Sequence, residues 1–563
     1  MTAAPVTAEQ AKQAAIKFLN HKSSNRRAAK ALNLQRPILN AVSINERPMV
    51  YAFNVGDNDG FVLVSGSDLT DEVIGYSDHG TFDEQEMPDT MRSWLESYAK
   101  AVRQMEVNGK ALNKTTKRPV KSPIAPMLTS KWNQNTPYNI LCPVLPNGKR
   151  CATGCTNTAF AQIMYYHKWP KEATKAIPEY NINSKDTNYP IMPALEPTTF
   201  DWDKMSPTYD DNNENNVGKD TMEIAKLMLY VGCANMSYYG EQTSATGFDA
   251  IDGLKKYFGY DSNAQIVWRS MCNYEQWVDM LYAELVNNRP VPFSGDCKDN
   301  GHSFIIDGYD EEDYFHVNWG WGGMSDGYFK VSLLDPKEQG TGGSANNEAY
   351  SMRQVAFIGV QPPKGQGTVQ PNTLTVEKAE VYYAPKGDNS YDALGQESSS
   401  PYFQKGYFIA PSILVYNNNS KNRKYDMGVR LIKYDQTYSK DYFWDTTDEI
   451  GVNLSYITPF SYNIYLDPNK DPYLTSGDYT MYFICRKQPS EEWLGLINWE
   501  KHYIKIHIDN DKAIMTSKVI SDYPILDIPS IDFDTTPTAG NPTEVKFTLQ
   551  NLGTAAYHGD IYV

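Results

Sequence analysis

The sequence predicts an α+β fold over its first 360 or so residues and an all-β fold beyond, on three observations. Apolar residues recur at helical spacing near residues 11–19, 91–105 and 159–166. Strand-like runs form pairs near 48–67 and again near 301–319. After residue 372 only strand patterns remain. A chain of 563 residues is too long for one core. Two polar joints divide it, NGKALNKTTKRPVKSP (Asn108–Pro123) and PPKGQGTVQPN (Pro362–Asn372). The expected domains are 1–120, 121–361, 372–512 and 513–563.

The elements follow in order. Thr7 and Gln10 form a capping box, and Ala11, Ala14, Ala15, Phe18 and Leu19 lie on one helical face. PMVYAFNV and GFVLVSGS alternate as strands around the turn signal GDNDG. MPDTMRSWLESYAKAVRQM places Met91, Trp94, Leu95, Tyr98, Ala101, Val102 and Met105 at helical spacing. The basic segment Lys110–Lys121 has no apolar period and reads as an exposed, protease-sensitive joint. In ATGCTNTAFAQIMYYHKWP, Ala159, Gln162, Ile163 and Tyr166 give an amphipathic helix that Pro170 closes. TLTVEKAEVYYA, YFIAPSILVYNNN, MGVRLIKYD, YTMYFICRK and HYIKIHIDN predict a β-sandwich to about residue 512. PTEVKFTLQNLGTAAYHGDIYV starts another such pattern and stops after two strands. Two strands bury no core, so the natural chain is expected to continue.

Composition excludes several function classes. The net charge of −16 and pI near 5.1 argue against nucleic acid or an anionic membrane as partner. No apolar run approaches the roughly 18 residues of a membrane span. MTAAPVTAEQ has neither the basic nor the apolar region of a signal peptide. The seven cysteines are Cys142, Cys151, Cys155, Cys233, Cys272, Cys297 and Cys485. Cys142 and Cys151 flank PVLPNGKR and can close a small loop that leaves Cys155 free. The Cys151–Cys155 spacing invites a metal reading, but no CxxC or HxxxH partner lies nearby. DDNNENN (Asp210–Asn216) lacks the glycine and glutamate of an EF-hand and reads as a solvated loop.

Cys155 follows a glycine at a helix N-terminus, where the macrodipole favours a thiolate and lowers a cysteine pKa. The competing reading is a small buried hydrophobe. Reactivity needs a base as well. Among eight histidines, His167 ends the same helix, and twelve residues at about 1.5 Å each put it ~18 Å away. GHSFIIDGYDEEDYFHVNWGWGG (Gly301–Gly323) reads as a hairpin centred on Asp310 and Glu311. That register sets His302 opposite Asn318 and Trp319, and His316 in the middle. A ring held by a third group is what a general base needs. The 147-residue separation of Cys155 from His302 (302 − 155) lies in the range, about 130–150, found between cysteine and histidine in papain-like proteases.

ATGCTNTAFAQIMYYH, GHSFIIDGYD and HVNWGWGGMSDGYFKV resemble the streptopain family of papain-like cysteine peptidases, particularly its longer multidomain members. The resemblance runs from about residue 1 to 360 and includes GFVLVSGSDLTDEVIGYSDHG and FDWDKM. It implies a two-lobed papain-like catalytic domain, helical lobe first, after an inhibitory propeptide of residues 1–120 and before C-terminal Ig-like β-sandwich domains. By motif it implies Cys155 as nucleophile, His302 as base, and Gln134 of WNQNTPYN as oxyanion-hole donor with the Cys155 N–H. Papain orients its histidine with an asparagine, whereas this family's NWGW segment points to the tryptophan; Trp319 is preferred over Asn318. No metal or organic cofactor is implied. The expected partners are protein and peptide substrates, cut broadly with a hydrophobic residue preferred two before the bond, and the chain's own propeptide. A secreted or cell-surface bacterial location is implied. The alternatives are a thiol-dependent acyl transferase on the same fold, and an adhesin whose β-sandwiches bind a host surface. A complete Gln134, Cys155 and His302 set argues against a vestigial site.

Overall fold

One ten-stranded antiparallel sheet runs through the first 360 residues and carries the histidine-bearing hairpin. The structure is a computed structural model that describes residues 5–22, 32–34, 47–102 (apart from 89, 90, 93, 97, 100 and 101), 120–181, 191–210, 216–296 (apart from 217 and 273), 301–331, 354–363, 373–384, most of 392–533, and 545–551. These residues fall into two units, the first ending at residue 363 and the second beginning at 373.

Helix α1 (Ala8–Lys22) starts on the expected capping box. The Thr7 N–H donates to Gln10 Oε1 (2.8 Å) and the Gln10 N–H to Thr7 Oγ1 (3.2 Å). Ala11 and Ala15 are fully buried on β2 (Val50–Val55), β3 (Phe61–Ser65) and β4 (Val73–Ser77), with β1 (Leu32–Leu34) at the sheet edge. The GDNDG turn needs its last glycine. Gly60 has φ 111°, and a Cβ there would overlap the Ser77 carbonyl. Where described, residues 91–102 are helical, with Met91, Trp94, Leu95, Tyr98 and Val102 buried. Ala101, Met105 and most of the basic joint lie outside the described residues.

The middle of the chain supplies α2 (Cys155–His167), the helices Thr221–Ala234, Gly247–Phe258 and Tyr274–Val286, and the two-residue strands β5 (Tyr180–Asn181) and β6 (Ile191–Met192). The main sheet adds β7 (Gln265–Trp268), β8 (Val291–Asp296), β9 (Gly301–Tyr309), β10 (Phe315–Asn318), β11 (Gly327–Phe329) and β12 (Gln354–Ile358). Its order is β1-β2-β3-β4-β11-β10-β9-β8-β12-β7. The strands of the N-terminal segment and those of residues 265–358 thus share one sheet, joined where β4 pairs with β11 (Tyr76 opposite Tyr328, Gly75 opposite Phe329). The N-terminal core even includes Tyr314 from the turn between β9 and β10.

Two sequence expectations change. Helix α2 is not amphipathic over its first half. Every residue from Thr156 to Met164 is buried, because the helix sits between the sheet and the other helices. The β9–β10 hairpin is also shifted. Its opposed pairs are Phe315 with Tyr309 and Asn318 with Ile305, with a bulge between His316 and Val317. The Asp310 carboxylate accepts the Glu312 and Tyr314 N–H groups (2.8 and 3.0 Å), moving the turn towards Tyr314. Pairing ends at Asn318, so His302 faces Gly295 of β8 rather than Asn318 or Trp319.

The second unit has a five-stranded and a seven-stranded sheet around one core. Leu374, Val376, Ile413 and Val415 pack with Met427, Val429, Leu431 and Phe483. Strand Lys512–Ser517 carries it past residue 512. Leu526–Phe533 and Val545–Asn551 form a separate two-stranded pair. In the acidic stretch near 210, residues 211–215 lie outside the described residues.

Candidate active site

Gly154 explains the glycine before Cys155. Its φ is 92°, and a Cβ would stand 2.8 Å from the Thr243 carbonyl oxygen. With Gly154 as N-cap, Cys155 becomes the first residue of α2, half-buried, with the amide ends of the helix around its sulfur. The Ser303 N–H donates to Cys155 Sγ at 3.4 Å. The thiol pKa is nevertheless raised. Burial pushes it up, and the Ser303, Thr156 and Cys155 N–H groups and the Thr156 hydroxyl pull it down without overcoming burial. The helix end acts in the expected direction and is outweighed by burial.

His302 is half-buried at the start of β9, one residue before the N–H that meets the sulfur. A chain of hydroxyls fixes this approach: Thr156 Oγ1 is 2.9 Å from Ser303 Oγ, which is 2.6 Å from Ser294 Oγ on β8. These three residues escaped the sequence reading because a lone serine or threonine in a strand or helix carries no motif. Gln134, half-buried, is tied to the same place through its backbone. Its carbonyl accepts the Thr153 N–H at 3.0 Å, two residues before Cys155.

Both expected orienters hold partners of their own. Asn318 is 3% exposed and spans the lobes. Its Nδ2 donates to the Ser130 carbonyl (2.9 Å), and its Oδ1 accepts from Gln162 Nε2 on α2 (3.2 Å) and from the Gly320 N–H (3.0 Å). The Trp319 indole N–H donates to the Ser325 carbonyl (3.0 Å). What Trp319 does is pack. Its ring lies 5.0 Å from that of Phe304, two residues after His302, and 5.2 Å from Phe329. A Cβ on Gly320 would be 3.6 Å from Thr158 on the first turns of α2. Trp319 thus packs on Phe304 of the histidine strand, and its neighbour Gly320 comes up against the cysteine helix. Trp94 of the N-terminal segment contacts the same ring (6.4 Å) and Phe329 (5.4 Å).

Cys142 and Cys151 are both buried, and both are free thiols. The Cys151 N–H bonds to the Pro143 carbonyl (2.9 Å), so Cys151 stands opposite Pro143 rather than Cys142. Burial, with Cys151 and Cys233 adding, pushes the Cys142 thiol up to about 12. Cys297 lies outside the described residues. Among the described residues no group of three or more His, Cys, Asp or Glu side chains could hold a metal.

A helix-end cysteine meeting a histidine-bearing strand between a helical and a sheet lobe, with an N-terminal segment on that sheet, defines a papain-like thiol peptidase in latent form. The Peptidase C10 family profile matches residues 132–329, and the Spi protease inhibitor profile matches residues 3–102. Streptopain of Streptococcus pyogenes is 33% identical over 375 residues, covering 63% of this chain and 91% of streptopain. Thiol protease/hemagglutinin PrtT of Porphyromonas gingivalis is 32% identical over 397 residues, covering 67% of this chain and 44% of that relative. The chain thus spans less than half the length of PrtT. Among solved structures, a fragment of Prevotella intermedia prointerpain A is 28% identical and covers 60% of this chain and 100% of the fragment, with a TM-score of 0.50. The chain belongs to the Peptidase C10, or streptopain, family, and is a cysteine peptidase made as a zymogen.

Proposed function

We propose that Cys155 is the nucleophile, His302 its general base and acid, and Gln134 an oxyanion donor with the Cys155 N–H. The observation that carries this reading is the 3.4 Å contact of the Ser303 N–H with Cys155 Sγ, which joins the cysteine helix to the histidine strand. His302 takes the thiol proton, and the thiolate attacks the peptide carbonyl carbon to give a tetrahedral oxyanion. Donors in such a hole are each worth about 3–4 kcal/mol. Collapse breaks the C–N bond, His302 protonates the leaving amine, and water hydrolyses the thioester. Trp319 supports the pair by packing on Phe304 of the His302 strand, and Asn318 ties β10 to α2.

Latency is read from the described N-terminal strands β1–β4 sharing one sheet with β9 through the β4–β11 pairing. A tethered inhibitor works at millimolar effective concentration, so modest affinity closes the site until the joint is cut between about Val107 and Pro126. Protein substrates processed outside the cell fit this reading. The name of PrtT pairs protease with hemagglutinin. On that ground we propose that the sandwich unit, on which Tyr434, Phe443 and Tyr473 are exposed, binds a host surface. Cys155→Ala tests the core of the reading. It should abolish hydrolysis of casein and labelling by a thiol-directed epoxide, and it should leave the chain uncut unless wild-type enzyme is added. Residual activity above about a thousandth of wild type would overturn the assignment.

A further inference from the structure

We propose that Asp326 is a positioning residue that fixes Trp319 against Phe304 on the His302 strand, a packing on which turnover depends. The proposal rests on the assignment of Cys155 and His302 made above. Between β10 and β11 the chain forms the loop WGWGGMSD, with left-handed backbone at Gly320, Gly322, Gly323 and Ser325 (φ 74°, 69°, 85° and 59°). Such a loop has no ladder to hold it. Two neighbouring residues close it instead. Asp326 Oδ1 accepts the Trp319 N–H (3.0 Å), and the Ser325 carbonyl accepts the Trp319 indole N–H (3.0 Å). One dipeptide grips both the backbone and the ring.

The grip has a built electrostatic setting. Asp326 is 4% exposed. The groups facing it are His316 on β10, Asp307 on β9 and Lys131 ahead of Trp132. His316 Nδ1 and Asp307 Oδ1 are 2.6 Å apart, and Asp78, after β4, acts on the same histidine. Ser77 Oγ donates to the Asp326 carbonyl (2.8 Å), and His79, Asp83 and Glu86 line the adjoining cleft. Burial pushes the Asp326 carboxyl up to about 6, against the pull of His316, the Trp319 N–H and Lys131. The ionised carboxylate makes the stronger bond to the Trp319 N–H. Protonation leaves a weaker acceptor and a slacker loop. A residue that only fills space has no such signature.

The test uses the full chain of each variant, activated by immobilised wild-type enzyme that is then filtered off. Asp326→Ala should lower kcat about tenfold with KM changed less than about twofold, since loosening a ring packed on the histidine strand acts on the transition state. Asp326→Asn keeps an oxygen for the Trp319 N–H, so it should recover most of kcat above pH 7 and lose an acid inflection that wild type shows. Trp319→Phe should match Asp326→Ala, and the double variant should add little. If Asp326→Ala does not fold, the pH profile of Asp326→Asn decides: a profile identical to wild type overturns the proposal. So do equal losses in Asn and Ala, or additive losses in the double variant. A Cys155→Ala chain that still hydrolyses sinks the underlying reading. A dead Cys155→Ala with Trp319→Phe impaired and Asp326→Ala unchanged sinks this proposal alone.

Discussion

The N-terminal segment holds the catalytic sheet at two places that differ in kind. Along β4–β11 the contact is apolar and hydrogen-bonded. Tyr76 stacks on Tyr328 (5.2 Å, 12°), Trp94 lies against Trp319 and Phe329, and the Lys330 N–H bonds to the Ile74 carbonyl (3.0 Å). At the turn of the β9–β10 hairpin the contact is ionic. Lys22 Nζ reaches Asp310 (2.8 Å) and Glu312 (2.9 Å), and Tyr76 donates to the same Asp310 oxygen (2.7 Å). The first contact adjoins Trp319, which packs on the His302 strand; the second grips the far end of the hairpin. Apolar burial is indifferent to salt, whereas charges are screened over about 8–10 Å. The contrast assigns the closing of the site to the apolar contact and its alignment to the ionic one.

The largest expected effect is at the apolar contact. Trp94 is 4% exposed, and Trp→Ala in a packed site costs about 3–5 kcal/mol. Trp94→Ala should leave the uncut chain active on a peptide substrate and lower the melting temperature. If the uncut variant stays as latent as wild type, the apolar contact is not what closes the site.

Lys22→Ala should act in the same direction and less strongly. Burial pulls the ammonium pKa down, but the hydrogen bonds and charges of Asp310 and Glu312 raise it more, for a net rise. A raised folded value means that the stabilisation is present below the ordinary 10.5 and is lost only as pH rises through the higher folded value. Latency should therefore be flat on the lysine's account from pH 6 to 9. Removing the cation leaves Asp310, which is 11% exposed at its side chain, without its counter-charge, at a cost of about 1–3 kcal/mol. Self-processing, followed by gel, should quicken about tenfold, less than with Trp94→Ala. An unchanged rate would leave the hairpin turn with no part in latency.

What the sequence showed and concealed divides along the same line. The α1 capping box, Cys155 at a helix start and His302 at a strand start are local patterns, written within a few residues of one another. The hairpin register was missed by two to three positions because one carboxylate, Asp310, lengthened the turn. The β4–β11 joint pairs residues some 250 apart, such as Tyr76 and Tyr328, and no local period announces such a pairing. The sign of the Cys155 shift was missed because burial, which the sequence does not print, outweighs the helix end that it does. Asp326 lies seven residues from Trp319 and was still overlooked, since an aspartate before a glycine reads as a turn.

The smallest effect sharpens the comparison from the ionic side. His21 Nε2 lies 3.1 Å from Glu312 Oε1, one residue from Lys22, but its side chain is 73% exposed and that of Glu312 32%. Exposed pairs contribute about 0–1 kcal/mol, because water screens the charges and two side chains must be held still. His21→Ala should therefore change the rate of self-processing less than about twofold at low salt, and not at all near 0.5 M salt, where the screening length falls to about 4 Å. Lys22→Ala should keep most of its effect in that salt, because its partner is partly buried. If His21→Ala matched Lys22→Ala, or if both effects vanished together with salt, the hairpin turn would be held by surface charge alone. The partly buried Lys22–Asp310 pair would then lose its separate role.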